Sequence, residues 1–156
     1  MLCTSGSPDL WIPLLEGLKK RFGMLGSVLE AIICDNTKIF ASTFKKVFPY
    51  VIIFEDPRHA VQRYGGGIKD GAKSLHYQSM LVEASNCIYL TKATPNVPAV
   101  YRPVEDQIRR LHAFFTKWQR AGCWNAAALA LHTSQLKLVA QGRLSHNGEL
   151  SVLNSI

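Results

Sequence analysis

Apolar residues recur every three or four positions in the first quarter of the chain, which is the spacing of one face of an α-helix. The first such run extends from Leu10 to Phe22, and Gly23 marks its end. Ser27 and Glu30 have the spacing of a capping box and predict a second helix that begins at Ser27. We expect the apolar stripes of both helices to be mostly buried. The stripes comprise Trp11, Leu14, Leu18, Leu29 and Ile33.

The pattern then changes from helical to strand-like. Asn36 can cap a third helix whose apolar residues extend to Val47, and Pro49 ends that helix. Residues 50–54 (Tyr-Val-Ile-Ile-Phe) have the β-branched and aromatic make-up of a buried strand. The first third of the chain therefore predicts three helices followed by one strand.

Turn-forming residues divide the middle of the chain into short elements. Asp56, followed by a proline, predicts a short helix that ends near Tyr64. The three glycines at 65–67 then predict a flexible or tightly turning loop. Two short strands are predicted at residues 80–82 and 87–91 from their apolar and β-branched composition.

The last third begins with an amphipathic helix. Its apolar residues from Ile108 to Trp118 share one face, and Gly122 marks its end. An alanine-rich stretch at 125–140 predicts a further helix, and Asn-Gly at 147–148 suits the tight turn of a hairpin.

Together these patterns predict an α+β fold in which N-terminal helices pack on a small antiparallel sheet. With 156 residues, of which 47% are apolar and 19% charged, the chain has the size and composition of one globular domain. Internal repeats, linkers and low-complexity tracts are not evident, so residues 1–156 are predicted to form a single domain.

The charge of the chain bears on its partners. Lys and Arg total 18 against 11 Asp and Glu, which gives a net charge of +7. Such an excess favours an anionic partner, such as nucleic acid, cell-wall polymer or an acidic surface. The basic residues are scattered in pairs such as Lys19-Lys20 and Arg109-Arg110. Nucleic-acid binders usually concentrate their charge in one stripe, so nucleic acid is the less favoured partner.

Membrane and export signals are not predicted from the sequence. Apolar runs stay short of the roughly 20 residues that a membrane-spanning helix needs. The N-terminus has no basic segment, and Asp9, Pro13 and Glu16 interrupt its apolar stretch. We therefore expect no membrane span and no signal peptide.

Among the five histidines, His76 stands out through its neighbourhood. It follows a polar, glycine-rich segment and precedes an apolar run that ends in Glu83. A loop histidine and a strand-borne carboxylate could therefore converge at one edge of the sheet. Imidazole nitrogen and carboxylate oxygen are both good zinc ligands, and a catalytic zinc site needs three such groups and an open position for water. The alternative for any single histidine is an ordinary packing or surface role.

The segment from Arg63 to Thr91 contains Ser-x-His, six further residues and then the carboxylate of Glu83. This string resembles the hallmark of the zinc-dependent D-alanyl-D-alanine carboxypeptidase family, and especially of the short phage enzymes that cleave peptidoglycan cross-bridge peptides. Residues 74–78 match it one by one, and weaker similarity covers about residues 50–135.

The resemblance implies a zinc ion held by His76, Glu83 and a third ligand. His132 lies at about the right distance along the chain to be that ligand, and His146 is its rival. The resemblance also implies substrate binding by three residues of the matched string, Ser74, Tyr77 and Gln78.

Three departures from the family pattern bear on catalysis. Glu55 stands where the family has an arginine that holds the substrate carboxylate, and this charge reversal would repel that group. Glu83 replaces an aspartate and reaches one methylene further. Leu129 occupies the position of the general base, so no catalytic residue is identified. Loss of proton transfer typically costs about 10²- to 10⁴-fold in rate.

The resemblance therefore implies a zinc metallopeptidase-like protein of phage type that acts on peptidoglycan cross-bridge peptides; whether its catalysis is intact or eroded stays open. The alternatives are a non-catalytic phage-particle or assembly protein and a basic nucleic-acid-binding module. The expected partners are peptidoglycan or another anionic polymer, and other phage structural proteins. The expected location is the host cytoplasm or the phage particle.

Overall fold

A computed structural model describes residues 8–26, 28–35 and 37–144. Over those ranges the structure has six α-helices and two sheets of two strands each, so the predicted α+β class is confirmed. The chain divides into two compact units, residues 1–54 and 55–156, and the expectation of a single domain stays a prediction. None of the helices in the described ranges is long and apolar enough to cross a membrane.

The first unit consists of two helices and a two-stranded sheet. A 3-10 turn, Pro8–Trp11, leads into helix α1, Ile12–Met24, and helix α2 spans Thr37–Val47. Strands β1, Ala31–Cys34, and β2, Ile52–Glu55, are neighbours in one sheet. Helices α1 and α2 contact each other over a small apolar core. The buried members of this core are Leu15, Val47, Phe48, Val51 and Ile53.

The predicted second helix is wrong, because residues 31–34 form strand β1 instead. The backbone N–H of Ile52 donates to the carbonyl of Glu30 at 2.8 Å, so the pairing of the two chain segments continues before β1. A short run with two isoleucines suits a strand that has a partner, and pairing outweighs the local capping signal. Ser27, the predicted start of that helix, lies outside the described residues.

The predicted burial of the N-terminal stripe is wrong for three of its five members. Leu14 is 59% exposed and Ile33 51% exposed, and Leu18 is exposed as well. Helix α1 instead buries Leu15, one position further round the helix. Trp11 and Leu29, the other two members of the stripe, are half-buried.

The second unit is built around four helices. They are α3, Pro57–Gly67, α4, Tyr77–Ile88, α5, Val104–Arg120, and α6, Ala128–Ala140. Helices α3 and α5 each contact both α4 and α6, so the four helices share one core. The largest fully buried side chains of this core include Tyr64, Met80, Leu111, Phe114 and Val139.

A small antiparallel sheet follows α4. Strand β3, Tyr89–Thr91, pairs with β4, Val100–Tyr101, and the rings of Tyr89 and Tyr101 face each other at a centroid distance of 5.1 Å. The strand predicted at residues 87–91 is therefore confirmed in its second part, and its first residues still belong to α4.

The strand predicted at residues 80–82 is wrong, because these residues lie inside α4. Met80, Ala84 and Ile88 recur every four residues and are buried. A short apolar run fits either a strand or one helical turn, and here the buried positions before and after it follow the helical period. Glu83 therefore lies on a helix and not at the edge of a sheet.

The glycines at 65–67 form the last turn of α3 and not a flexible loop. A Cβ atom on Gly65 would lie 2.7 Å from the hydroxyl of Tyr77, and one on Gly67 would lie 3.2 Å from the Cα of Ala128. The first residues of α4 and α6 thus approach the end of α3 at points where a larger side chain would collide.

Candidate functional site

The matched string lies at the start of α4, where local hydrogen bonds fix its course. The Oγ of Ser74 accepts from the backbone N–H of His76 at 3.3 Å, and the carbonyl of Ser74 accepts from the N–H of Tyr77 at 3.1 Å. The carbonyl of His76 accepts from the N–H of Met80 at 2.9 Å, so His76 is the residue that precedes the first turn. His76 and Gln78 are exposed and Tyr77 is half-buried.

Glu83 follows His76 by seven residues, or two helical turns, so both lie on one face of α4. The Oε2 atom of Glu83 accepts a hydrogen bond from the ammonium of Lys117 at 2.8 Å and from the indole N–H of Trp118 at 2.9 Å. A buried indole N–H needs an acceptor, and Trp118 is buried on α5. The carboxylate of Glu83 therefore has two partners on the neighbouring helix.

The indole of Trp118 is the common neighbour of the residues around it. The imidazole of His76 lies 5.3 Å from the Trp118 ring between centroids, and the ammonium of Lys117 lies 4.8 Å from the ring centroid. The ammonium is within the range of a cation–π interaction. We call these four residues the Trp118 cluster: His76, Glu83, Lys117 and Trp118.

Two of the four residues of the Trp118 cluster, Lys117 and Trp118, were not predicted from the sequence as site residues. Lys117 and Trp118 contact Glu83 across separations of 34 and 35 residues. Trp118 has the helical spacing of an ordinary core residue, and Lys117 has the charge of an ordinary surface residue. Only the packing of α4 against α5 brings them to the carboxylate.

His132 is buried on α6 among aromatic rings. Its Nδ1 lies 2.9 Å from the hydroxyl of Tyr64, and its ring stacks on Phe115 at a centroid distance of 4.2 Å. Nε2 has no hydrogen-bond partner among the described residues. Burial, with a smaller contribution from His112, lowers the pKa of His132 to about 4, so the imidazole is neutral at pH 7.

The predicted position of the general base, Leu129, contributes no base. Leu129 is 63% exposed on the first turn of α6, three residues before His132. Its side chain has no group that transfers a proton. His146, the rival third ligand, lies outside the described residues.

The three predicted zinc ligands are not brought to a common point. The ligand atoms of His76, Glu83 and His132 do not all lie within 4.8 Å of one another. Zinc ligands lie about 2.0–2.2 Å from the metal and hence within roughly 4 Å of each other. In this arrangement the three residues do not fit a zinc ion, and the zinc expectation gains no support from them.

Glu55, which stands where the resemblance implies a substrate-binding arginine, has its charge compensated by a residue of the second unit. Its carboxylate is 1% exposed and forms an ion pair with Arg63 of α3. Its backbone N–H donates to the carbonyl of Arg143 at 2.8 Å. Because the buried negative charge of Glu55 is compensated by a positive partner within the fold, we assign Glu55 a structural role.

A second charged group surrounds Asp106 near the start of α5. The carboxylate of Asp106 forms ion pairs with Arg102, Arg109 and Arg110. These hydrogen bonds, that of Arg110 first, hold the pKa of Asp106 below its usual range. Three positive charges against one negative leave an excess of two on the surface. We call these four residues the Asp106 cluster.

Comparisons of the chain with protein-family models, with curated proteins and with solved structures found no match. The resemblance to the zinc carboxypeptidases therefore stays a prediction from this chain's own residues, chiefly the string from Ser74 to Thr91.

Proposed function

We propose that this chain is a peptidoglycan-peptidase-like protein of phage type that has lost catalysis and serves as a binding or structural component. The observation that carries the proposal is the engagement of Glu83. In the matched string this carboxylate would be a metal ligand, yet its Oε2 accepts hydrogen bonds from Lys117 and Trp118. An oxygen that accepts from an ammonium and from a buried indole N–H loses both hydrogen bonds when it binds a metal instead.

The α6 residues support the same proposal. His132 is packed as an aromatic core residue against Phe115, with Nδ1 directed to Tyr64. Three residues earlier, Leu129 stands where a general base is required. Without a base, neither activation of water nor proton delivery to the leaving amine has a donor or acceptor at this position.

The partner that we propose is peptidoglycan or another anionic polymer of the cell wall. Arg109 and Arg110 of the Asp106 cluster are partly exposed, at 73% and 42% of their side-chain surface. Guanidinium groups form strong paired hydrogen bonds with carboxylates and phosphates. The Asp106 cluster therefore offers the chemistry that an acidic cell-wall polymer requires.

Zinc content and turnover of the purified chain test the loss of catalysis. After dialysis against a buffer that contains zinc, we expect clearly less than one zinc ion per chain and no cleavage of peptidoglycan cross-bridge peptides. The variant Leu129→Glu places a carboxylate at the base position and should still show no turnover, because Glu83 and His132 remain engaged. Stoichiometric zinc and clear cleavage, both abolished by His76→Ala, would show that the chain is a working enzyme.

Co-sedimentation with purified peptidoglycan tests the proposed partner. The double variant R109A/R110A removes two charge-assisted contacts and should weaken binding roughly tenfold. The double variant K92A/K137A removes the same charge from exposed positions outside the cluster and should change binding little. Equal losses in both variants would mean that net charge alone, and not the Asp106 cluster, attracts the polymer.

A further inference from the structure

The first unit exposes a row of apolar side chains along α1 and beyond its end. Leu14 and Leu18 are one turn apart and lie on the same face of the helix. Met24, the last residue of α1, is 78% exposed, and Val28 beyond the helix is 82% exposed. Large contiguous apolar surfaces rarely face water in isolation. We call this set the α1 face: Leu14, Leu18, Met24, Leu25 and Val28.

Two apolar grooves border α1, and each has one cation in its wall. The first groove, of about 420 Å³, has Arg21 in its wall, and the second, of about 350 Å³, has Lys19. The apolar walls of the first groove include Trp11, Leu14, Leu18 and Phe44. Those of the second include Phe22, Val28, Val47 and Phe48. An apolar cleft beside a positive charge matches a ligand that has a hydrocarbon part and an anionic head.

The charges of α1 have one predominant sign. Lys19, Lys20 and Arg21 are consecutive and exposed, and Glu16 is the one acidic residue of the helix. Long basic side chains extend their charged ends away from an apolar surface while their methylene stems stay on it. Arg21 follows Leu14 by seven residues and Leu18 by three, so it shares their side of α1, whereas Lys19 and Lys20 lie further round the helix.

We propose that the α1 face binds the anionic surface of a lipid membrane, with α1 lying in the plane of the interface. The apolar side chains enter the boundary between headgroups and acyl chains, Arg21 meets the anionic headgroups beside them, and Lys19 and Lys20 add attraction to the anionic surface over a longer range. This occupant fits better than a second copy of the chain, because a symmetric contact would bring the same cations together. The proposal concerns the first unit and is independent of the function proposed for the Trp118 and Asp106 clusters.

Vesicle co-sedimentation of the full chain tests this proposal. We expect binding to vesicles of phosphatidylglycerol and phosphatidylcholine in equal parts, and much weaker binding to phosphatidylcholine alone. Each cation near an anionic surface strengthens binding about fivefold, so K19A/K20A/R21A should bind roughly 100-fold more weakly. The variant L14E/L18E should lose at least about tenfold, because two apolar side chains no longer enter the interface.

Matched controls separate the α1 face from general effects of charge and apolarity. The variant L75E/L90E changes two exposed leucines of the second unit and should bind as the unmodified chain does. Circular dichroism checks that L14E/L18E folds, and K19A/K20A/R21A carries the test if it does not. Equal binding to both kinds of vesicle, or unchanged binding by the α1 variants, overturns the proposal. A lipid-free dimer that L14E/L18E abolishes would assign the face to a second copy and overturn it too.

Discussion

At the scale of single residues, two of the titratable side chains that the second unit buries, Glu55 and His132, are accommodated in opposite ways. Glu55 is paired with Arg63, so a buried negative charge has a positive partner. His132 has the hydroxyl of Tyr64 and the ring of Phe115 as neighbours, and burial keeps it neutral. Both arrangements avoid an uncompensated buried charge, which is among the most costly defects in a protein core.

We predict that acidification destabilises the second unit through His132. Its pKa in the folded state is about 4, below the ordinary value of 6.5, so the unfolded chain takes up the proton first. This part of the stability is complete above about pH 6.5, falls as the pH drops towards 4, and amounts to at most about 3 kcal/mol. Urea unfolding at several pH values measures it. His132→Phe keeps a ring at the position and should flatten this pH dependence; an unchanged profile in that variant would contradict the assignment.

The ion pair of Glu55 yields a second prediction at this scale. Glu55→Arg places two positive side chains together in a buried position and should cost about 3–5 kcal/mol in the free energy of unfolding. The charge swap E55R/R63E should recover part of that loss, because opposite charges face each other again. Denaturant unfolding of the three chains measures both effects. If the swap recovers nothing, Arg63 is not the group that balances Glu55.

At the scale of elements, close packing at the end of α3 requires two residues that have no side chain. Gly65 and Gly67 allow Tyr77 and Ala128 to approach the helix closely. Gly66, between them, has open space where a Cβ would lie. Close packing therefore explains the glycines at 65 and 67 but not the one at 66.

The glycine run offers an internally controlled prediction. Gly66→Ala should stabilise the chain by about 0.5 kcal/mol, because alanine favours the helix and no atom lies within 4 Å of the new Cβ. Gly67→Ala should destabilise it by about 1–3 kcal/mol, since the backbone of Ala128 would have to move. Thermal or urea unfolding of both variants checks this. A harmless Gly67→Ala would show that α6 does not pack against the end of α3 at this distance.

The sequence predicts the elements well where an apolar pattern is long and unbroken. Helix α5 has such a pattern from Ile108 to Trp118, and its end before Gly122 was predicted too. The prediction fails at residues 28–33 and 80–82, which are too short to separate a strand from a helical turn. In the first segment, pairing of β1 with β2 determines that a strand forms. In the second segment, packing of α4 against α3 and α5 determines that a helix forms.

The candidate site was predicted only in part, for a related reason. The string around His76 and Glu83 singled out two residues that do meet the same indole ring. Their partners on α5 depend on how two helices pack, which no local pattern encodes. His132 was predicted from its distance along the chain, and distance alone did not show that its ring is a stacked core group.

At the scale of the whole molecule, two concentrated groups of basic residues contribute to the net charge of +7. One is the run of three cations on α1, and the other is the Asp106 cluster of α5. They belong to different units, and their surroundings differ. The first is bordered by exposed leucines, whereas the second surrounds a carboxylate.

This difference predicts unequal responses to salt. Raising the ionic strength to about 0.15 M shortens the reach of exposed charges to roughly 8 Å. Peptidoglycan binding through the Asp106 cluster should fall steeply, whereas vesicle binding should fall less, because the apolar contacts of the α1 face are not screened. Parallel co-sedimentation at low and physiological salt measures both. Identical salt dependence for the two partners would mean that one shared surface binds both.

If the chain descends from a metalloenzyme, as the proposed function implies, the hydrogen bonds of Glu83 oppose the return of a metal site. If a later substitution drew Glu83 towards a metal ion, Trp118 would keep a buried N–H without an acceptor, at a cost of about 1–3 kcal/mol. Lys117 would lose its counter-charge in the same step, and His132 would still face its aromatic neighbours. A return that uses Oε2 of Glu83 as the metal ligand thus passes through a less stable protein, and selection for stability alone would disfavour it.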